Sequence, residues 1–379
     1  MTKLNEARFS GTISYDTKLA PLTSFGIGGK APYSFYCKSS QEINEAAHLI
    51  DYELGLPLFV LGGGTNVLVD SADLSCALII DERPAYITVE ENKNQDSLVY
   101  LHAGGSLDFD ELVAFCCEHE LAGLSALSGI PGKACSAPVQ NIGAYGQELA
   151  PHVESLLVYD RLKPEQDCIL SAEQLDFSYR SSLLKRSVAQ MRKHFARESF
   201  SGRYIVKELR LKLKRCSYET VYHKELAQAL NIELGQSAKL SDIRSVVREI
   251  RSNKGTLFKA DIVYSHGAGS FFTNPIIDEP KLLEKLKHSG APLYPLNPLE
   301  ASVSAAKCPA AWLIEQAGIP KGFSLHDGSQ ARVSPLHVLT LYNEGTADSA
   351  EILELRDYIQ EQVYKHWGIS LVMEPSYIF

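Results

Sequence analysis

Two hydrophobic periods alternate along the chain. YSFYC (33–37) and PLFVLGGG (57–64) carry apolar runs of strand length, and QEINEAAHLIDYEL (41–54) between them spaces its apolar residues as a helix does. This reads as an α/β unit whose second strand runs into a glycine turn, at the end of a strand where ligands are commonly held. From Ala77 the pattern becomes β: ALII comes first, then YITVE and SLVYLHA on either side of the polar turn ENKNQD, a hairpin signature. A helix is expected over DELVAFCCEHE (110–120), then a Gly/Ala/Ser-rich stretch (122–146) and strands at VESLLVYD (153–160) and YIVKELRLKLK (204–214). The polar, charged segment 185–202 reads as an exposed insertion. Beyond residue 255 helices dominate. KCPAAWLIEQAG (307–318) has helical spacing and ends at Gly318. In the last helix Ile352, Leu355, Ile359, Val363 and Trp367 form one apolar stripe behind a capping box of Asp348 and Glu351, and Gly368 stops it. ISLVMEPSYIF closes the chain as a strand.

Length changes this picture first: 379 residues exceed one ordinary core, so two or three domains are expected. With 45% hydrophobic and 22% charged residues the composition is that of a soluble globular protein. A net charge of −9 offers no basic face to a nucleic acid, so an anionic small substrate must find its lysines and arginines locally. No apolar run approaches the roughly 18 residues of a spanning helix. The stretch MTKLNEARFSGTISYD lacks the apolar core of a signal peptide, so a cytoplasmic protein without membrane contact is expected. The eight cysteines are scattered, with no CxxC pair and no Cys/His ladder, so neither a metal site nor a disulfide framework is expected.

Five segments are candidates for chemistry. In LGGGTNVLVD (61–70), Gly62, Gly63 and Gly64 bare the backbone for an anion or form a tight turn, with Thr65, Asn66 and Val67 following. The Rossmann GxGxxG spacing is absent. SGIPGKACSAPVQNIGAYG (128–146) adds Ser136, Gln140, Asn141, Gly143 and Tyr145, and the two glycine walls together favour a large flat ligand. In DFSYRSSLLK (176–185), Arg180 is either a surface residue or a clamp for a carboxylate. Ser270, behind the glycines of HGAGSFFTNP (266–275), is a loop hydroxyl held for chemistry or a helix cap. Glu374 interrupts the closing apolar strand, where it needs a partner, a function or a place at a sheet edge.

Taken in order, these segments resemble the UDP-N-acetylenolpyruvoylglucosamine reductase family. The likeness rests on TSFGIGG (23–29), LGGGTNVLV, GIPGKACSAPVQNIGAYG, SYRSS, GAGSFFTNP, AAWLIEQAG, HVLTLYNEG and the terminal glutamate strand. TVYHKEL (220–226) is similar to the tyrosine-bearing loop of the type I subgroup. The resemblance implies an α+β fold: an FAD-binding fold of the vanillyl-alcohol-oxidase type in two subdomains, and a C-terminal α/β substrate-binding domain. The expected bounds are 1–80 and 81–255 for the subdomains, the second completed by 368–379, and 256–367 for the substrate domain. It further implies non-covalent FAD, NADPH as co-substrate, a UDP-sugar whose enolpyruvyl group is reduced during peptidoglycan precursor synthesis, and a monomeric enzyme. By motif position Arg180 and Glu374 are implied to polarise the substrate carboxylate and Ser270 to protonate the carbon. Gly62, Gly63, Gly64, Thr65, Asn66, Val67, Ser136, Gly143 and Tyr145 are implied as cofactor contacts. Tyr222, Lys254, Asn274, Lys321 and His337 are implied as substrate contacts.

The chain departs from the family pattern at Cys135, Ala137, Ala311 and Ser376, and Lys254 is joined to Ser270 by the long stretch GTLFKADIVYSHGAG. Two other functions are weighed against the reductase: a flavin oxidase of sugars or lactones using oxygen, and a nucleotide-sugar-binding protein without chemistry. The combined serine, arginine and glutamate segments favour the reductase.

Overall fold

A computed structural model describes residues 8–91, 97–259, 261–295 and 305–379. The first unit contains β1 (Thr12–Lys18), β2 (Lys30–Cys37), α1 (Ser40–His48), β3 (Leu58–Leu61), β4 (Val67–Val69) and β5 (Ala77–Asp81). Its sheet has the order β1-β2-β5-β3, parallel at the two pairs made by β5 and antiparallel at β1–β2. The helix expected over 41–54 is α-helical only over α1. Leu49–Leu54 winds wider, and Gly55 (φ 63°) ends it by donating its N–H to the Ile50 carbonyl. The continuous apolar runs are explained by burial on both faces, with Phe35, Ile43, Ile50, Leu58 and Ile79 in one cluster and Phe59, Leu61 and Leu78 in another.

The second unit is an antiparallel sheet in the order Asp167–Ser171, Val153–Asp160, Tyr204–Arg215, β7 (Leu98–Gly104), β6 (Tyr86–Glu91). β6 and β7 pair as the sequence pattern requires; the turn residues 92–96 of ENKNQD lie outside the described residues. One face carries Val99, Leu101, Leu209, Leu211 and Leu213, against which α2 (Phe109–Glu118) packs Phe109, Leu112, Val113 and Cys116. The Gly/Ala/Ser stretch forms short 3₁₀ turns at 125–127 and 134–140, close against this sheet.

Two expectations are corrected here. The segment 185–202 is not an exposed insertion: most of it lies in the helix Leu183–Phe195, which buries Leu184, Ser187 and Met191. Its charges are anchored as well, Arg197 lying 3.2 Å from Asp51, which also pairs with the buried Arg161 at 2.7 Å. Its apolar positions recur at helical spacing, but the charged residues between them mask the stripe. The closing segment, expected to complete 81–255, instead places its strand Ser376–Ile378 parallel to β4, with Ile378 buried in the core of the first unit. Only those three residues are strand. Residues 369–375 lie outside regular strand and bridge to the 266–275 segment at Phe272 and Met373.

The third unit is built on the helix Ser349–Trp367. The expected capping box is present, Asp348 accepting from the Glu351 N–H and the Glu351 carboxylate from that of Asp348. The stripe Ile352, Leu355, Ile359, Val363 and Trp367 is buried against the helix Ala310–Gln316 and the hairpin Ala331–Val333/Leu341–Asn343. No helix among the described residues is long and apolar enough to cross a membrane.

Candidate active site

The 266–275 segment is pinned at the junction of the first and third units. Gly267 bridges Tyr342, and a Cβ there would stand 2.3 Å from the Leu341 carbonyl oxygen, so only glycine permits the approach. The buried Ser24 hydroxyl donates to the Gly267 carbonyl at 2.6 Å. Phe271 and Phe272 are buried, their rings 5.3 Å apart, and Phe271 packs edge-on to Phe25. Phe271 N–H donates to the Leu339 carbonyl (2.8 Å) and its carbonyl accepts from Glu374 N–H (2.9 Å). These contacts leave Ser270 exposed, on the wall of a cavity of about 360 Å³.

Arg180 and Glu374, 194 positions apart in sequence, meet on the same wall. Ser178 and Ser181 close a tight turn by exchanging backbone hydrogen bonds (3.0 and 3.1 Å), with Arg180 in the left-handed region at φ 53°. The guanidinium holds this conformation: Nη2 donates to the Gly143 carbonyl at 2.6 Å and Nη1 to the Asn141 carbonyl at 3.4 Å. Nε lies 3.0 Å from Glu374 Oε1, closing an ion pair. Gln140 approaches the same oxygen at 3.4 Å. Burial pushes the Glu374 carboxyl above its ordinary range, with Arg180 and then Lys185 acting in the opposite sense.

The two glycine-rich walls are one structure. A Cβ on Gly62 would collide with Ser136 Oγ (2.3 Å), one on Gly63 with Gly132 Cα (2.6 Å) and one on Gly64 with the Leu22 carbonyl (1.9 Å). Gly63 and Gly64 therefore pack against backbone and Gly62 against the Ser136 side chain, and neither these residues nor Val67 are among those lining the cavity. Thr65, Asn66, Gly143 and Tyr145 do line it. Burial raises the Tyr145 phenol to about 12.

Opposite stands a small layer made by the strands Tyr218–Thr220 and Ser237–Lys239 and the helices Lys224–Ala229 and Leu240–Asn253. Lys254 ends the last of these helices, with its ammonium 2.6 Å from Glu225 and 5.8 Å from the centre of the Tyr145 ring. The long stretch after Lys254 folds back on itself, Ser265 Oγ donating to the Lys259 and Ile262 carbonyls, and so Lys254 and Ser270 still face one cavity. Asn274 lines it too, its Oδ1 accepting from Ala310 N–H. His337 accepts the Leu339 N–H on Nδ1 (3.1 Å), which leaves Nε2 to carry the proton of the neutral ring. Burial, Lys254 and Lys321 lower its pKa to about 4. Tyr222, 68% exposed, borders an adjoining depression instead, and the exposed Lys321 is not on the cavity wall.

Three cavity-lining groups escaped sequence reasoning, His223, Glu225 and Arg251, and so did Lys185, which stands behind the wall at the Arg180 carbonyl. His223 packs edge-on to Tyr145 at 5.3 Å. Arg251 donates to the Gly129 and Thr256 carbonyls from inside a helix whose charges look like an ordinary solvated face. Lys185 looked like the start of an exposed segment. All eight cysteines are unpaired, and no metal-competent cluster of His, Cys, Asp and Glu occurs among the described residues.

Residues 261–378 match the family model of the UDP-N-acetylenolpyruvoylglucosamine reductase C-terminal domain. The reductase of that name from Thermobifida fusca (strain YX) is 33% identical over 365 residues, covering 95% of this chain and 96% of the relative. That from Mycobacterium avium (strain 104) is 34% identical over 381 residues, covering 97% and 96%. The fold is shared with the solved reductase from Thermus caldophilus, at TM-score 0.60 and 21% identity over 97% of this chain and 99% of that one. Identity sustained from one end of the chain to the other, on a common α+β fold, makes this protein a member of the UDP-N-acetylenolpyruvoylglucosamine reductase family.

Proposed function

We propose that this chain catalyses the NADPH-dependent reduction of the enolpyruvyl group of UDP-N-acetylglucosamine enolpyruvate to UDP-N-acetylmuramate, with bound FAD, in cytoplasmic synthesis of peptidoglycan precursor. The observation that carries the reading is the convergence of Arg180, Glu374 and Ser270 on one cavity wall, within a chain of this family.

The residues present fit the cofactor. Thr65, Asn66, Gly143, Tyr145 and Arg251 put donors and a cation on the cavity wall of a chain whose net charge is −9. When bound, FAD supplies the hydride, which it takes from NADPH. A hydride on the terminal carbon of the enolpyruvyl group leaves negative charge on the adjacent carbon and its carboxylate. Arg180, fixed by two backbone carbonyls, offers a preorganised cation to that carboxylate, and Glu374 orients the guanidinium. Ser270 gives its proton to the adjacent carbon, completing the addition of a hydride and a proton across the double bond. Lys254 and Asn274 hold the diphosphate and sugar, with Lys321 and His337 nearby, and Tyr222 closes from the neighbouring depression. Segments 1–80 and 81–255 form the cofactor side and 256–367 the substrate side.

The test is direct. Purified protein is yellow and oxidises NADPH only when the enolpyruvyl UDP-sugar is present, apart from slow oxygen leakage. Oxygen-driven turnover of a simple sugar, or a colourless protein that binds the nucleotide-sugar, refutes the proposal.

A further inference from the structure

Lys185 is a half-buried cation beside Arg180, behind the cavity wall, for which the reaction just described has no use. It lies in the first turn of the helix Leu183–Phe195, whose start is fixed twice: Ser182 Oγ accepts the Lys185 N–H at 3.4 Å and donates to the Val139 carbonyl at 2.5 Å. A lysine there opposes the positive end of the helix dipole, and its ammonium is turned inward. Both features cost stability and call for an offset. The ammonium finds it at the Arg180 carbonyl, 3.4 Å away, on the turn that aims the guanidinium.

We infer that Lys185 is a positioning residue for Arg180 and Glu374: it clamps the Ser178–Ser181 turn through the Arg180 carbonyl and gives Glu374 a second positive charge. The inference rests on the proposed reading of Arg180 and Glu374. When the substrate carboxylate arrives, two carboxylates must share a poorly solvated wall, and one guanidinium cannot fully compensate both. Lys185 stays with Glu374 while Arg180 turns part of its charge to the substrate. Lys185 and Glu374 both stand against Arg180, one at its carbonyl and one at its guanidinium, and each acts on the other through space. Burial pushes Lys185 below its usual range while Glu374 acts to raise it, and the charges that counter burial at Glu374 are those of Arg180 and Lys185. The other groups facing Glu374 are the neutral Gln140 amide and the Tyr179 phenol, which burial keeps protonated.

The experiment is an NMR titration of FAD-loaded protein labelled with carbon-13 at the glutamate carboxyls, the Glu374 signal being identified by its loss in Glu374→Gln. In Lys185→Met the Glu374 midpoint moves up by about one pH unit, and in Lys185→Arg it returns towards the wild-type value. The pH profile for reoxidation of the reduced protein by the UDP-sugar moves with it. Should Lys185→Met not retain FAD, Lys185→Gln is read in the same way. An unmoved Glu374 midpoint in a folded variant overturns the inference. A midpoint that moves while the reoxidation profile stays fixed upholds Lys185 as the second charge and instead removes Glu374 from the reaction.

Discussion

Replacing Arg180 by methionine removes the guanidinium charge while keeping a side chain of similar length. At 3.0 Å and an effective dielectric of about 20, the Coulomb attraction to Glu374 is roughly 5 kcal/mol. Solvent reaches both partners, with side chains 18% and 11% exposed, so about half of that survives as net stabilisation. Glu374 in the variant can stay charged and uncompensated or take up a proton, and the second route limits the loss. Its carboxyl already lies above the ordinary range, and losing Arg180 raises it further. A carboxyl raised in the folded state binds more protons there than in the unfolded chain, so its cost grows as pH rises above the unfolded value. Arg180→Met is therefore less stable than wild type by about 2–3 kcal/mol at pH 8 and by clearly less at pH 5, read by urea unfolding of the FAD-loaded protein. Reoxidation by the UDP-sugar falls by about 10²–10³, the usual effect of losing one preorganised donor to a developing anion, while reduction by NADPH is unchanged. A stability deficit equal at both pH values refutes the electrostatic reasoning and leaves Arg180 acting only through the Gly143 and Asn141 carbonyls. Equal falls in both half-reactions refute its assignment to substrate.

Two further outcomes are expected. Lys254 must leave Glu225 to reach a diphosphate, and the pair is partly exposed, so Glu225→Gln tightens UDP-sugar binding by about two- to fivefold in calorimetry; weaker binding would mean that Glu225 itself contacts the substrate. His337 titrates near 4 folded and near 6.5 unfolded, so its contribution is complete above pH 6.5 and is lost as pH falls through 4. Over that window wild type loses up to about 3 kcal/mol that His337→Gln does not lose, measured as the difference between their unfolding free energies at pH 7 and pH 4; parallel curves contradict this.

What the sequence made legible follows periodicity and local chemistry. The last helix could be read because its stripe, its Asp348/Glu351 box and Gly368 all act within a few residues of one another. The glycine-rich segments were legible as special backbone. That they lock into each other, with Gly63 against Gly132, was not, because the two glycines lie 69 positions apart, in different units. Arg180 and Glu374 were quotable as motif residues, yet neither segment alone separates a surface arginine from a clamp; only the bridge between the 266–275 segment and residues 369–375 brings the carboxylate across. Lys185 and Arg251 were hidden for the opposite reason. Each sits among charges that local patterning assigns to solvent, and tertiary packing turns them inward.

The Ser270 hydroxyl, as proton donor, is the group on which the proposed reaction turns. Stopped-flow spectroscopy of Ser270→Ala separates bleaching of the flavin by NADPH from its recolouring by the enolpyruvyl UDP-sugar. Bleaching at the wild-type rate with recolouring slowed by about 10²–10⁴ is the expected result. Equal slowing of both phases, or recolouring at the wild-type rate, would contradict the role given to Ser270.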